Sequence, residues 1–296
     1  MLLLLSSSGQ AQQINKLPDG VKVNVNSTTI DVKFYSPGIV RICKYPQDKV
    51  FDKVSLTVIK QPQKIYFQIQ DKDSVFSVLS LKIDISINKT TGKVAFVDKK
   101  GERILVENDR GSFTPFNDAR ASTFSVKQSF LLDPDEAIYG LGQQQQGKLS
   151  QRNVRLNMVQ GNTDDYIPFF VSTKGYGLFW DNYSPTVFED NAEGTTFKSD
   201  VGDGIDYYFM LGGTLDGSIA RMRELTGDVP MFPLWTYGFW QSKERYKSQQ
   251  EIVGVVSKYR ELGVPLDGII QDWQYWGNNY LWNAMEFLNP EFPNPQ

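Results

Sequence analysis

The sequence contains no histidine and only one cysteine, Cys43. Without histidine, these 296 residues cannot form a Ser-His-Asp triad, a Cys-His pair or a histidine-ligated zinc site. Cys43 has no partner for an internal disulfide, and its apolar surroundings predict a buried small side chain without a catalytic role. The side chains left for acid–base chemistry are carboxylates, lysines and tyrosines, and we expect no metal site and no cofactor.

The sequence also lacks a strong charge of one sign and long apolar runs. The formal net charge is −3 and the basic residues are scattered, so nucleic acid is not an expected partner. No apolar run approaches the roughly 20 residues of a membrane helix. Hydrophobic residues make up 40% and aromatic residues 13% of the chain, which is typical of a globular protein with large aromatic surfaces.

Residues 1–11 resemble the end of a secretory signal peptide. An apolar start is followed by small residues, with Gly9 and Ala11 at the positions expected before a cleavage site. The basic segment that normally comes first is missing, so either the true start lies upstream or these residues form a disordered tail. The signal interpretation predicts a secreted or periplasmic protein.

Residues 12–229 are predicted to form one antiparallel β-sandwich domain. Apolar residues alternate with polar ones, a period of two that is typical of half-buried strands. The runs are Val21/Val23/Val25, Ile30/Val32/Phe34, Ile65/Phe67/Ile69 and Leu81/Ile83/Ile85/Ile87. Turn residues separate them, for example residues 88–92, and further strands are expected at residues 169–172, 176–180 and 205–210.

Near Asp216 the apolar period becomes helical. Asp216 is expected to cap this helix, Ile219, Met222 and Leu225 to share one face, and Gly227 to end it. The segment closes the predicted sandwich domain.

Residues 230–296 are predicted to begin a second, parallel α/β domain. Residues 234–241 are expected to form a buried strand, and Ser248 with Glu251 a capping box at the start of a helix. Residues 268–273 are expected to form a second strand. A (β/α)8 barrel needs eight strands and about 250 residues, so this segment can contain only the opening of a truncated barrel.

Asp272 lies at the carboxyl end of the second predicted strand of this domain, directly after its apolar part. In parallel folds the loops at the carboxyl ends of strands carry the chemistry, so a carboxylate here suggests a binding site. Aromatic residues crowd the same loop, and sugar rings stack on aromatic planes while carboxylates accept bonds from hydroxyls. The alternatives are a helix cap or an ion pair for Asp272, and plain core for the aromatic residues.

Several motifs resemble glycoside hydrolase family 31. Leu234–Tyr246, Val264–Asp267 and Gln271–Trp276 are similar to the opening of that family's catalytic barrel. Ile138–Gln143 resembles its N-domain motif, with Gln143 in place of the usual glutamate, and residues 167–170 and 175–182 also match. The resemblance runs from about Val21 onward and implies a galactose-mutarotase-like sandwich before the barrel.

The resemblance implies a retaining α-glycosidase acting on an oligosaccharide. The aspartate that matches Asp272 bonds a hydroxyl of the sugar to be released. Trp273 stands where α-glucosidases often have an aliphatic residue, and its ring would fill the space of a hexose hydroxymethyl group. Xylose lacks that group, so the resemblance favours an α-xylosidase acting on xyloglucan-type oligosaccharides, with α-glucosidase as the alternative.

The resemblance also implies a smaller role for three further residues. Asn162 or Asp164 would touch substrate from an N-domain loop, unless the loop is an ordinary Asx turn. Glu244 falls where some relatives have a pocket-lining aromatic residue.

No residue matches the family's catalytic nucleophile or acid/base, which lie beyond Gln296, so this chain alone is predicted to be inactive. The remaining alternatives are a noncatalytic carbohydrate-binding module and a structural sandwich.

Overall fold

The structure is a computed structural model that describes residues 13–282 and 284–296. These residues divide into two compact units, with the boundary between Asp228 and Val229. The sequence prediction placed the boundary one residue later. The predicted signal segment, residues 1–11, lies outside the described residues.

The first unit is a sandwich of two antiparallel sheets. Its strands are β1 (Ile14–Leu17), β2 (Gly20–Val25), β3 (Thr28–Ser36), β4 (Ile39–Pro46), β5 (Phe67–Lys72), β6 (Val75–Ser80), β7 (Asp84–Asn88), β8 (Val94–Val97), β9 (Arg103–Glu107), β10 (Ser112–Asp118), β11 (Ala121–Leu131), β12 (Ile138–Gly140), β13 (Arg155–Met158), β14 (Phe169–Ser172), β15 (Tyr176–Trp180), β16 (Thr186–Asn191), β17 (Gly194–Gly202) and β18 (Ile205–Leu211). The eight-stranded sheet has the order β1-β2-β3-β4-β18-β15-β14-β12. The ten-stranded sheet has the order β13-β16-β17-β11-β9-β8-β7-β6-β5, with β10 paired to β11. The predicted sandwich is confirmed.

The core lies between the two sheets, where their alternating apolar residues meet. Val21, Val23 and Val25 are each at most 2% exposed, as their period of two predicts. Phe96 of the ten-stranded sheet stacks on Phe209 of the eight-stranded sheet, with ring centroids 4.0 Å apart. Such contacts join the sheets through closely packed aromatic surface.

One predicted strand is wrong at its start. Leu81 is 65% exposed, although the apolar alternation assigned it to the same face as Ile85. The Ser80 hydroxyl binds both main-chain groups of Ile83, and the Asp84 carboxylate accepts from Ser80 N–H. These bonds reverse the chain between β6 and β7, so Leu81 lies at the tip of a turn.

Helix α1 (Leu215–Thr226) packs on the outer face of the eight-stranded sheet, where Leu225 is fully buried. Thr214 caps the helix by accepting from Gly217 N–H at 3.0 Å, so the prediction that Asp216 is the cap was wrong. Ile219 is 48% exposed and is not part of the buried face. Gly227 ends the helix as predicted.

The second unit contains the predicted strand–helix–strand order, with shorter strands. A 3-10 helix (Leu234–Tyr237) precedes β19 (Trp240–Gln241), followed by α2 (Gln249–Glu261), β20 (Gly268–Ile269) and a second 3-10 helix (Asn279–Leu281). The predicted strand over residues 234–241 is therefore wrong for its first part. Leu234 is 88% exposed, and the turn begins directly after Pro233, whose fixed φ suits the start of a helix.

One of the two hydrogen bonds of the predicted capping box is present at the start of α2. The Ser248 hydroxyl accepts from Glu251 N–H at 3.2 Å. The Glu251 carboxylate does not return to Ser248 but accepts from Lys247 N–H at 2.6 Å. Both bonds satisfy main-chain donors at the helix start, where a negative charge is also favourable.

Candidate functional site

The two strands of the second unit run parallel and end at the same edge. Trp240 pairs with Gly268 and Gln241 with Ile269. Ile270 N–H extends the pairing by donating to the Gln241 carbonyl oxygen at 3.0 Å. The loops that follow β19 and β20 consequently leave from one edge, which is the functional edge of parallel α/β folds.

These two loops bring three of the predicted site residues together. Trp273 N–H donates to the Glu244 carbonyl oxygen at 3.1 Å, and this bond joins the loop after β20 to the loop after β19. Asp272 lies directly before Trp273. The main chains of Glu244, Asp272 and Trp273 therefore form a single region at the carboxyl ends of the strands.

Asp272 is exposed, and its carboxylate accepts no hydrogen bond and forms no ion pair with the described residues. The N-cap of the following 3-10 helix is Asn278, so Asp272 is not a helix cap. Among the described residues, Asp272 is thus neither a helix cap nor part of an ion pair, the two alternatives that the sequence left open. An exposed carboxylate with free lone pairs can accept hydrogen bonds from the hydroxyl groups of a ligand.

Trp273 belongs to a cluster of aromatic rings. Its ring lies 5.7 Å from that of Trp276 and 4.9 Å from that of Trp282, measured between centroids. Trp276 is only 4% exposed, whereas Trp282 is 65% exposed and Tyr280 fully so. The core interpretation thus fits Trp276, and the more exposed rings offer apolar faces of the kind that bind sugars.

Glu244 helps to join the two loops through its main-chain oxygen, which accepts the bond from Trp273 N–H. Its side chain is exposed, and the carboxylate lies 3.8 Å from the Arg245 guanidinium. At that distance and exposure the pair adds little stability. Any contact of the Glu244 carboxylate with substrate remains a prediction.

Asn162 and Asp164 belong to the first unit, in a loop fixed at both ends. Gln143 and Asp165 exchange two main-chain hydrogen bonds of 2.7 and 2.9 Å. The Gln160 side chain donates to Tyr166 O at 2.8 Å and accepts from Tyr166 N–H at 2.6 Å. These four bonds hold the base of the loop that carries Asn162 and Asp164.

Within that loop, Asn162 is exposed and its side chain makes no Asx-turn bond to the described residues. Asp164 is half-buried beside Tyr166. Burial, followed by the charge of the Asp164 carboxylate, raises the pKa of Tyr166. Both residues lie in a loop whose base is held by hydrogen bonds, and their contact with substrate stays a prediction.

Beside this loop the first unit contains a cavity of about 410 Å³, which the sequence did not predict. Gln160, Tyr166, Trp180, Tyr183 and Met222 are among its lining residues. They come from separate strands, loops and α1, and no local motif could have indicated the cavity.

No group of three or more histidine, cysteine, aspartate or glutamate side chains with metal-binding geometry occurs among residues 13–282 and 284–296. No helix in this part of the chain is long and apolar enough to cross a membrane.

The two units together define a β-sandwich followed by the opening of a parallel α/β domain. Residues 29–189 match the family model described as the glycosyl hydrolase 31 N-terminal galactose mutarotase-like domain. Residues 229–296 match the glycosyl hydrolases family 31 TIM-barrel domain. The chain belongs to glycoside hydrolase family 31.

Two curated relatives support the same assignment. An α-xylosidase of Saccharolobus solfataricus is 37% identical over 284 residues, which cover 93% of this chain and 38% of the relative. α-Glucosidase 2 of Bacillus thermoamyloliquefaciens is 27% identical over 90% of this chain and 34% of its own length. The chain thus spans little more than a third of these proteins.

Solved structures show the same fold. A family 31 α-xylosidase from Xanthomonas citri superposes with a TM-score of 0.85 at 24% identity, over 95% of this chain and 47% of that protein. A family 31 α-xylosidase from a soil metagenome, complexed with xylose, gives a TM-score of 0.84 at 22% identity, over 96% and 44%.

Proposed function

We propose that this chain is part of a retaining α-glycosidase that removes terminal α-linked xylose from xyloglucan-type oligosaccharides. The observation that carries the proposal is the pairing of an exposed Asp272 carboxylate with the neighbouring Trp273 ring at the carboxyl ends of parallel strands. Family membership and the similarity to an α-xylosidase over 93% of this chain support it.

The role of this chain in that reaction is to bind and orient the sugar. Retaining glycosidases need two carboxyl groups about 5–5.5 Å apart, one as nucleophile and one as acid and then base. Asp267 is not one of these two carboxyl groups. Its carboxylate accepts from Phe239 N–H at 3.0 Å, and its own N–H donates to Phe239 O. We therefore assign Asp267 a structural role and expect residues 1–296 alone to show no turnover.

Selectivity for xylose is assigned to Trp273. Its ring packs against those of Trp276 and Trp282, so moving it would break two aromatic contacts. We propose that this ring occupies the space that the hydroxymethyl group of glucose would need, whereas xylose has only hydrogens at that position. Asn162 and Asp164 of the first unit are proposed as further contacts to the substrate.

Substrate preference tests this function directly. In the enzyme that contains this chain, nitrophenyl α-xyloside should be hydrolysed with a higher kcat/KM than nitrophenyl α-glucoside. Trp273→Leu should shift the ratio toward the glucoside, while Trp235→Leu, a similar change at a half-exposed tryptophan outside this loop, should not. A clear preference of the unaltered enzyme for the glucoside would contradict the proposal and favour the α-glucosidase, to which the 27% identical relative points.

A noncatalytic sugar-binding function is the remaining alternative, favoured only by the exposed rings of Tyr280 and Trp282. It predicts a heat of binding when residues 1–296 are titrated with xyloglucan oligosaccharides. A flat titration, together with hydrolysis by the enzyme that contains this chain, excludes it.

We also propose that the protein is secreted or periplasmic. This rests on the sequence of residues 1–11 alone. Cell fractionation of the native protein, followed by sequencing of the mature N-terminus, tests it, since cytoplasmic protein with an uncleaved start would contradict export.

A further inference from the structure

The loop that carries Asp272 is fixed by the side chain of the residue before it. Gln271 Nε2 donates to the main-chain oxygen of Tyr246 at 3.0 Å and to that of Trp273 at 2.9 Å. A side-chain amide has two N–H bonds, and both are used here. One bond reaches the loop after β19, and the other reaches across Asp272 to the residue that follows it.

Main-chain bonds hold the two ends of the same segment. Ile270 N–H donates to Gln241 O at 3.0 Å, and Trp273 N–H donates to Glu244 O at 3.1 Å. The Asp272 carboxylate takes part in none of these bonds. The segment from 270 to 273 therefore has a fixed backbone and one exposed charged side chain.

The surroundings of Gln271 make its two bonds effective. Tyr246, whose carbonyl accepts one of them, is 2% exposed, and the Gln271 side chain is itself half-buried. Hydrogen bonds in such partly dry surroundings are stronger than in water. The opposite amide orientation would direct Oε1 at two carbonyl oxygens, so the observed one is electrostatically required.

We infer that Gln271 is a positioning residue for Asp272. Its amide fixes the backbone on both sides of Asp272, so the Asp272 side chain leaves the main chain at one position and in one direction. A binding group that is held in place loses less entropy when the ligand arrives. The inference rests on the proposed function, because it assumes that Asp272 contacts the substrate.

A double-mutant cycle in the enzyme that contains this chain tests the inference. The variants are Gln271→Glu, Asp272→Asn and the pair, assayed for kcat and KM on nitrophenyl α-xyloside. Gln271→Glu keeps the size of the side chain but turns carboxylate oxygens toward two carbonyls. Gln250→Glu, on an exposed position of α2, is the matched control and should leave the rate unchanged.

We expect Gln271→Glu to lower kcat/KM about tenfold in the unaltered enzyme and less than twofold in the Asp272→Asn background. The second effect is smaller because Gln271 acts through the Asp272 carboxylate, which that background already lacks. If Asp272→Asn abolishes turnover, inhibition constants for xylose complete the same cycle. Equal losses from Gln271→Glu in both backgrounds, or no loss in either, would overturn the inference. An Asp272→Asn variant with unaltered kinetics would instead contradict the proposed function.

Discussion

The Arg41 guanidinium binds the Asp206 carboxylate through two hydrogen bonds, Nε–Oδ1 and Nη2–Oδ2, both 2.8 Å long. The Lys53 ammonium group lies 3.0 Å from the same carboxylate and also contacts Asp181. Lys53 comes from the long connection between β4 and β5, while Arg41 and Asp206 lie on neighbouring strands. The network therefore attaches an irregular segment to the eight-stranded sheet.

Asp206→Ala should lower the free energy of unfolding of the first unit by about 3–5 kcal/mol, the range for removing one partner of a buried ion pair. Asp206 is 2% exposed, so its loss leaves two cations without their shared carboxylate. Urea unfolding of the chain measures the change. Asp135→Ala, at an exposed position, is the control and should stay within about 0.5 kcal/mol. Similar values for both variants would contradict a stabilising network.

Thr214→Ala should destabilise the first unit by about 1 kcal/mol, because it removes the oxygen that accepts from Gly217 N–H. Asp216→Ala changes only a charge in the first turn and should cost about 0.3–1 kcal/mol. Thermal unfolding of the two variants distinguishes the loss of the capping hydrogen bond from the loss of the charge in the first turn. A larger loss for Asp216→Ala would restore the cap predicted from the sequence.

Glu224 should make stability depend on pH. Burial alone would raise the pKa of Glu224, but hydrogen bonds from Arg221 and Lys60 outweigh it, and the pKa is lowered. A lowered carboxyl pKa means that the unfolded state binds more protons, so this stability is present above about pH 4.3 and is lost as the pH falls through the lower folded value.

Glu224→Gln should therefore be less stable than the unaltered chain at pH 6, by no more than about 1 kcal/mol because the groups are partly exposed, and the difference should shrink toward pH 3. Melting temperatures across this range measure it. Glu193→Gln, at an exposed turn, should show no such trend. A difference that grows in acid would reverse the assigned sign.

Local pattern was enough to predict most of the sandwich. The burial of alternate residues in β2 and the turn at residues 88–92, where the Asn88 side chain accepts from Thr90 and Thr91 N–H, follow from short-range chemistry. The pattern failed for the apolar run at residues 234–241. A run without alternation fits a buried strand or a helical turn equally well, and the structure has a 3-10 helix there.

The sequence predicts where the candidate site lies but not the hydrogen bonds that hold its loops. Asp272 comes after an apolar segment that forms a parallel strand, and the sequence alone indicates this position. The bonds from Gln271 to Tyr246 depend on how two loops pass each other, which no local pattern records. Lys53 likewise resembles an ordinary surface lysine, since its carboxylate partner Asp206 lies 153 residues further along the chain.

We propose that the Asp272 carboxylate binds the sugar to be released, and kcat/KM of Asp272→Ala in the enzyme that contains this chain tests this role most directly. We predict a loss equivalent to about 2–4 kcal/mol of transition-state stabilisation on nitrophenyl α-xyloside. Glu261→Ala, at an exposed position on α2, should be unaffected. An Asp272→Ala enzyme with the kcat/KM of the unaltered protein would remove Asp272 from the substrate site.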